Sequence, residues 1–143
     1  MEYTPQFILV GPGKTATTWV YECLRDHPEV SMPSEDSINY FDMYYHRGKS
    51  WYKEQLDYES KDKVLGEEAI NYSVDQMAAK RISEDLGQVK LIFTLRNPVQ
   101  RAFSHYWHNK QREGFERSFE SCLQSYNDYQ NWVVPGFYHH HIS

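Results

Sequence analysis

Short continuous apolar runs alternate with stretches of helical spacing along the chain. Phe7-Ile8-Leu9-Val10, bounded by Pro5 and Gly11, is such a run and predicts a buried parallel strand. Val20, Cys23, Leu24 and His27 follow at helical spacing until Pro28, so a glycine turn leads into a helix. Residues 30–32 form a weaker strand ended by Pro33. Residues 34–48 are polar and aromatic, a loop with short helical turns. A short helix is expected over 50–56, a strand entry over 64–67, and a helix over 74–86 stopped by Gly87. The second clear strand is 90–95. Val99, Ala102, Phe103, Tyr106, Trp107 and Lys110 then mark one helical face, and a further helix covers 118–126.

Strands alternating with helices predict an α/β fold, a P-loop-like three-layer domain whose mainly parallel sheet is flanked by helices. A length of 143 residues fits one domain. Ligands of such sheets bind at the carboxyl ends of the strands. The two clearest strands end near Gly11 and Arg96.

The formal charge of −5 argues against a general nucleic-acid binder, because affinity for a phosphate backbone needs a net basic surface. A small anion in a local basic pocket remains compatible with it. Cys23 and Cys122 sit in helical patterns without metal-like neighbours and are expected as buried free thiols in a reducing compartment. No leader or membrane-spanning run is visible, so the expectation is a soluble, cytoplasmic protein with no membrane partner.

Candidate chemistry follows each clear strand. In GPGKTATT, Gly11 and Gly13 permit a tight turn, Lys14 brings a point charge, and Thr15, Thr17 and Thr18 bring hydroxyls. The amides opening the next helix lack intrahelical partners and favour an anion. An NTPase loop needs a glycine where Ile8 stands, so this loop is shorter. A plain strand–helix turn with threonine capping is the alternative. After the second strand, Arg96 precedes Asn97-Pro98, a helix-start pair, and Ser104 lies about two turns in. Arginine can hold a phosphate by two parallel hydrogen bonds.

Together the segments resemble the sulfotransferases that use 3′-phosphoadenosine 5′-phosphosulfate, in their carbohydrate-type and bacterial branch. GPGKTATTWVYECLRDHPEV is similar to that family's 5′-phosphosulfate loop, and LIFTLRNPVQRAFSHYW to its 3′-phosphate segment. NYFDMYYHRGKSWYKEQL, GEEAINY, FERSFESCL and GFYHHHI are similar in content and order. The resemblance implies that the phosphosulfate nucleotide is the donor, without a metal. It places Gly13, Lys14, Thr15, Ala16, Thr17 and Thr18 around the 5′ end, with Lys14 also stabilising the leaving phosphate. Arg96 and Ser104 would hold the 3′-phosphate. The acceptor would be a hydroxyl or amine of a small molecule or carbohydrate, and the nucleotide product adenosine 3′,5′-bisphosphate.

The chain also departs from that family. The Lys-Glu pair that often precedes the aromatic signature falls on Asp36-Ser37, so Ser37 stands at the expected catalytic glutamate. Glu35 and Asp36 are the substitute bases. Ala16 replaces a common loop glycine, and Ala69-Ile70 a Ser/Thr-Pro pair. Relatives continue past the position of Ser143, so the domain is expected to lack its C-terminal part. Three readings follow: a sulfotransferase, a remnant that binds the nucleotide without turnover, and a P-loop kinase. Tyr44, Tyr45, Trp51 and Tyr52 either line an acceptor pocket or pack on the sheet. The run His139-His140-His141 is read as tail surface rather than a metal site.

Overall fold

The computed structural model describes residues 4–60 and 62–142. Four parallel strands, β1 Phe7–Val10, β2 Val30–Ser31, β3 Val64–Glu68 and β4 Lys90–Phe93, form a sheet in the order β2-β3-β1-β4. β1 is central. Its Leu9 pairs with Glu68 on one side and Ile92 on the other.

The continuous apolar run of β1 reflects burial on both faces. Ile8 and Val10 pack with Tyr40, Phe41, Tyr72 and Ile82, while Phe7 and Leu9 pack with Tyr21 and Met32. The first face is covered by α2 Gly48–Gln55 and α3 Gln76–Leu86, the second by α1 Thr17–Arg25. This is the three-layer α/β arrangement expected. Past β4 the chain is helical: α4 Pro98–Glu113, α5 Phe119–Leu123, α6 Tyr126–Trp132 and α7 Tyr138–Ile142. Tyr106, Cys122 and Trp132 form a separate core beneath α4 to α6.

Side-chain caps set several boundaries. Asp75 Oδ1 accepts from the amides of Met77 and Ala78, which starts α3 two residues later than the apolar spacing suggests. Asn97 caps α4, with Pro98 in its first turn. Ser118 and Ser125 each cap a helix, so the single helix expected over 118–126 is two.

Burial corrects other expectations. Cys23 is exposed and only Cys122 is buried. His27 lies beyond α1, exposed, with Nδ1 accepting from the Glu29 amide at 3.2 Å. On α4, Ala102 and Tyr106 are buried, but Val99 is 71% exposed and Phe103 and Trp107 also face outward. β4 is the sheet edge, and its Leu91 and Ile92 are exposed. Tyr52 is buried in the core, so it packs on the sheet as the second reading has it.

The turn after β1 depends on backbone shape. A Cβ on Gly11 would lie 2.8 Å from the Thr94 carbonyl oxygen, so glycine lets the ends of β1 and β4 close up. Lys14 and Ala16 both have positive φ, 76° and 71°. That alternation with Thr15 curls successive N–H groups into a concavity of the kind that receives anions. The left-handed region costs an L-residue about 1–2 kcal/mol, partly offset by glycine's greater unfolded entropy. Ala16→Gly is therefore expected to raise the unfolding free energy by up to about 1 kcal/mol in urea titrations.

Candidate active site

The carboxyl ends of β1 and β3 open into a cavity of about 790 Å³. Such a volume suits a drug-sized or nucleotide-sized ligand. Gly13 and Lys14 of the loop, and Thr17 and Thr18 of the first turn of α1, line it. The N-terminus of α1 has no side-chain cap and no acidic residue in its first turn, as in α2, whereas Asp75, Asn97, Ser118 and Ser125 cap α3 to α6. Its first amides are left for a ligand or water.

The cavity has a cationic side and a carboxylate side. α4 contributes Arg101, His105, His108 and Arg112 opposite the loop, and β3 and the segment before Asn39 contribute Glu68 and Asp36. Desolvation, then the Arg112 charge, lowers the Lys14 pKa. Burial, then Arg101, Lys14 and His108, pushes His105 down to about 4. Both shifts come first from burial in a partly dry space, with the neighbouring cations adding.

Arg101 is fully buried. Its Nη1 donates to the Gly13 carbonyl at 3.0 Å, and Nη2 donates to the Trp132 carbonyl. Its Nε is buried without a partner. It therefore ties the loop to α4 and to the end of α6 while keeping a cation at the cavity wall.

On the other side, Glu68 is 3% exposed. Its Oε2 accepts from the Ser37 amide at 3.0 Å and the Ser37 hydroxyl at 2.8 Å. Glu67, its neighbour in β3, points into the core. There the Tyr52 hydroxyl donates to Oε2, and the Tyr72 hydroxyl to Oε1 at 3.0 Å.

Of the residues singled out in the sequence, Gly13, Lys14, Thr17, Thr18 and Asp36 meet at this cavity. Thr15 is buried beneath the loop, its hydroxyl donating to the Pro12 carbonyl at 2.9 Å and bonded to Thr94 Oγ1 at 2.7 Å. Thr15 and Ala16 shape the turn from outside the cavity lining. Glu35 lines a neighbouring recess of about 270 Å³ with Tyr44, Arg47 and Trp51, which joins the main cavity at Asp36 and Ser37. Arg96, at the end of β4, is exposed and its Nη1 approaches the Lys14 carbonyl at 3.4 Å. Ser104 is half-buried on α4 and not among the lining residues. His141 does line the cavity and bonds the Val134 carbonyl through Nε2 at 3.1 Å, while His139 and His140 stay exposed. Among the described residues no group of three or more His, Cys, Asp or Glu could hold a metal ion, and no helix is long and apolar enough to cross a membrane.

Comparison with known proteins gives a consistent picture. A family model described as Sulfotransferase domain matches residues 4–143. The chain is 33% identical over 141 residues to the membrane-associated sulfotransferase kil1 of Dictyostelium discoideum, covering 92% of this chain and 30% of that protein. It is 35% identical over 117 residues to heparan sulfate glucosamine 3-O-sulfotransferase 3B1 of Mus musculus, covering 82% of this chain and 30% of that one. Identity to the bifunctional heparan sulfate N-deacetylase/N-sulfotransferase 1 of Homo sapiens is 31% over 157 residues, 96% of this chain and 18% of that protein. The crystal structure of a sulfotransferase from Alicyclobacillus acidocaldarius superposes with a TM-score of 0.79 at 24% identity, over 94% of this chain and 62% of that one, a likeness of fold. The chain thus spans at most 30% of the length of these three curated relatives.

Proposed function

Because the chain belongs to the sulfotransferase domain family, we propose that its cavity takes 3′-phosphoadenosine 5′-phosphosulfate and passes the sulfuryl group to a hydroxyl or amine of a carbohydrate or small molecule. The observation that carries this reading is the pairing of an uncapped helix N-terminus with a wall of cations around Lys14. The donor's anionic groups match that chemistry. Gly13, Lys14, Thr17 and Thr18 would receive the 5′ end, with the backbone of Thr15 and Ala16 shaping the cradle. Arg96 and Ser104 would serve the 3′-phosphate from the start of α4.

Sulfuryl transfer puts negative charge on the departing phosphate. Lys14 and the α1 amides are already in place to meet it, so little reorganisation is needed during reaction. The recess beside Asp36 and Ser37, with Trp51 and Tyr44 on its wall, is where an acceptor would lie. Aromatic faces of this kind suit the apolar face of a sugar. Heparan-derived oligosaccharides are the first acceptors to try, given the names of the relatives.

A P-loop kinase is the competing reading. β3 does bring a carboxylate, Glu68, to the strand ends, but the Ser37 amide and hydroxyl already donate to it. The test is transfer of label from ³⁵S-labelled donor to heparosan oligosaccharides bearing free hydroxyls and amines. Labelled product supports the reading. Transfer of phosphate from ATP-Mg²⁺, with none from the sulfur donor, contradicts it.

The crowded cations give a further expected result. Burial, with the nearby cations adding, holds His105 at about 4; a bound anion offsets the cationic part, and an opposite charge nearby raises a histidine pKa by about 1–3 units. Binding adenosine 3′,5′-bisphosphate should therefore take up protons at mildly acidic pH, with less uptake in His105→Gln. Calorimetry in two buffers of different ionisation enthalpy measures it.

A further inference from the structure

We propose that Glu68 is the proton acceptor of the transfer step, an inference that rests on the sulfuryl-transfer reading above. Glu68 closes β3 at its carboxyl end, in register with Leu9 of β1, whose strand runs straight into the Lys14 loop. It shares the cavity with Lys14 and Thr17. Transfer needs a cation beside the leaving group and a base beside the incoming one, and these two residues bring them to one space from adjacent strands.

The hydrogen bonds around Glu68 fit a base more closely than a structural carboxylate. A carboxylate has about four lone-pair positions. The Ser37 amide and the Ser37 hydroxyl occupy two of them, both on Oε2. Oε1 is left, and the cavity is where a further partner can come from. The donors are an amide and a hydroxyl, which fix the carboxylate without neutralising it. Burial raises its pKa, Ser37 opposes that, and the Asp36 charge adds to it. A raised pKa makes a carboxylate a better proton acceptor near neutral pH.

Other groups on the cavity fit less well. Asp36 is exposed at the rim, and Glu35 lines only the neighbouring recess. His105 has a buried Nδ1 without a partner, but the burial that pushes it down to about 4, with the nearby cations adding, also disfavours its taking a proton. Glu67 points into the core.

In the step itself, the acceptor's O–H or N–H proton passes to the Glu68 carboxylate while the acceptor's lone pair forms the new bond to sulfur. The bond between sulfur and the 5′-phosphate oxygen breaks, and the bisphosphate leaves with that electron pair beside Lys14. The protonated Glu68 then returns its proton to water. Ser37, at the other end of the hydrogen bonds, is a positioning residue.

The test compares the wild-type chain with Glu68→Gln and Glu68→Asp, using ³⁵S-labelled donor, heparosan oligosaccharides and adenosine 3′,5′-bisphosphate. Glu68→Gln should lower kcat at least about 100-fold. Its bisphosphate affinity should be unchanged or up to about tenfold tighter, since a like charge near the anion is removed. Glu68→Asp should keep bisphosphate binding and recover part of the turnover. Turnover of Glu68→Gln within about threefold of wild type would overturn the assignment, because general-base effects are larger. Loss of bisphosphate binding in both variants would overturn it too, marking a structural residue. A wild-type chain that binds bisphosphate but sulfates no acceptor refutes it while leaving the nucleotide site standing. A wild-type chain that does not bind bisphosphate refutes the underlying reading instead.

Discussion

Replacing Arg101 with methionine is expected to lower the unfolding free energy by about 2–4 kcal/mol, a fall of roughly 5–15 °C in Tm for a domain of this size. The side chain is fully buried and donates to two carbonyls, Gly13 and Trp132. A hydrogen bond from a charged donor contributes about 1.5–3 kcal/mol, and leaving a buried acceptor unpaired costs about 1–3 kcal/mol. Methionine fills much of the volume but donates to neither oxygen. Against this loss stands relief of a buried cation, and burial does lower the Arg101 pKa. The carbonyls stay behind in the variant, so the loss outweighs the relief. Lysine in its place should recover less than half, because one ammonium cannot span both carbonyls as the guanidinium fork does. Urea and thermal unfolding of the three chains check the order Arg, Lys, Met.

Glu67 should impose an unusual pH dependence on stability. Burial raises its pKa to about 7, with the Tyr52 and Tyr72 hydroxyls opposing and the Glu68 and Asp42 charges adding. The folded state therefore holds a proton that the unfolded state, titrating near about 4.5, has released. Stability from this group is fully present below the unfolded pKa and is lost as pH rises through about 7. The span corresponds to about 3 kcal/mol. Glu67→Gln removes the titration and keeps the shape. The stability of wild type minus that of Glu67→Gln should fall by about 3 kcal/mol from pH 4 to pH 8, read from urea midpoints. A difference that stays flat across this range would mean that folding leaves the Glu67 pKa unshifted. Taking the difference cancels titrating groups that are not coupled to Glu67.

Much of the architecture is legible in the sequence because β1 is buried on both faces. An unbroken apolar run is what that environment demands, and the glycine, lysine and threonines after it mark the strand end. The same reasoning does not show which side of a strand lies open. Residues 90–93 read as clearly as β1 yet form the sheet edge, and half of the apolar stripe on α4 faces outward. Helix starts slipped where a capping side chain, Asp75 or Ser125, outweighed the apolar spacing.

The site was legible where it is local and obscure where it is assembled. Lys14, Thr17 and Thr18 belong to one turn and can be read from one stretch. Glu68 and Arg101 owe their roles to partners far along the chain, Ser37 for one and Gly13 with Trp132 for the other. A signal for the first was present. Two adjacent glutamates in a strand send one side chain to each face, so one of them had to be buried with polar partners. The serine at position 37 reads in sequence as the loss of a carboxylate. In the fold its amide and hydroxyl hold Glu68.

The central claim is that the cavity around Lys14 receives a nucleotide with phosphate-type groups at both ends. Calorimetric titration of the chain with adenosine 3′,5′-bisphosphate, and separately with ATP-Mg²⁺, tests it most directly. The account predicts one saturable site for the bisphosphate, competed by the phosphosulfate donor and weakened at least about tenfold by Lys14→Ala. Equal or tighter binding of ATP-Mg²⁺, or bisphosphate binding indifferent to Lys14→Ala, would contradict it.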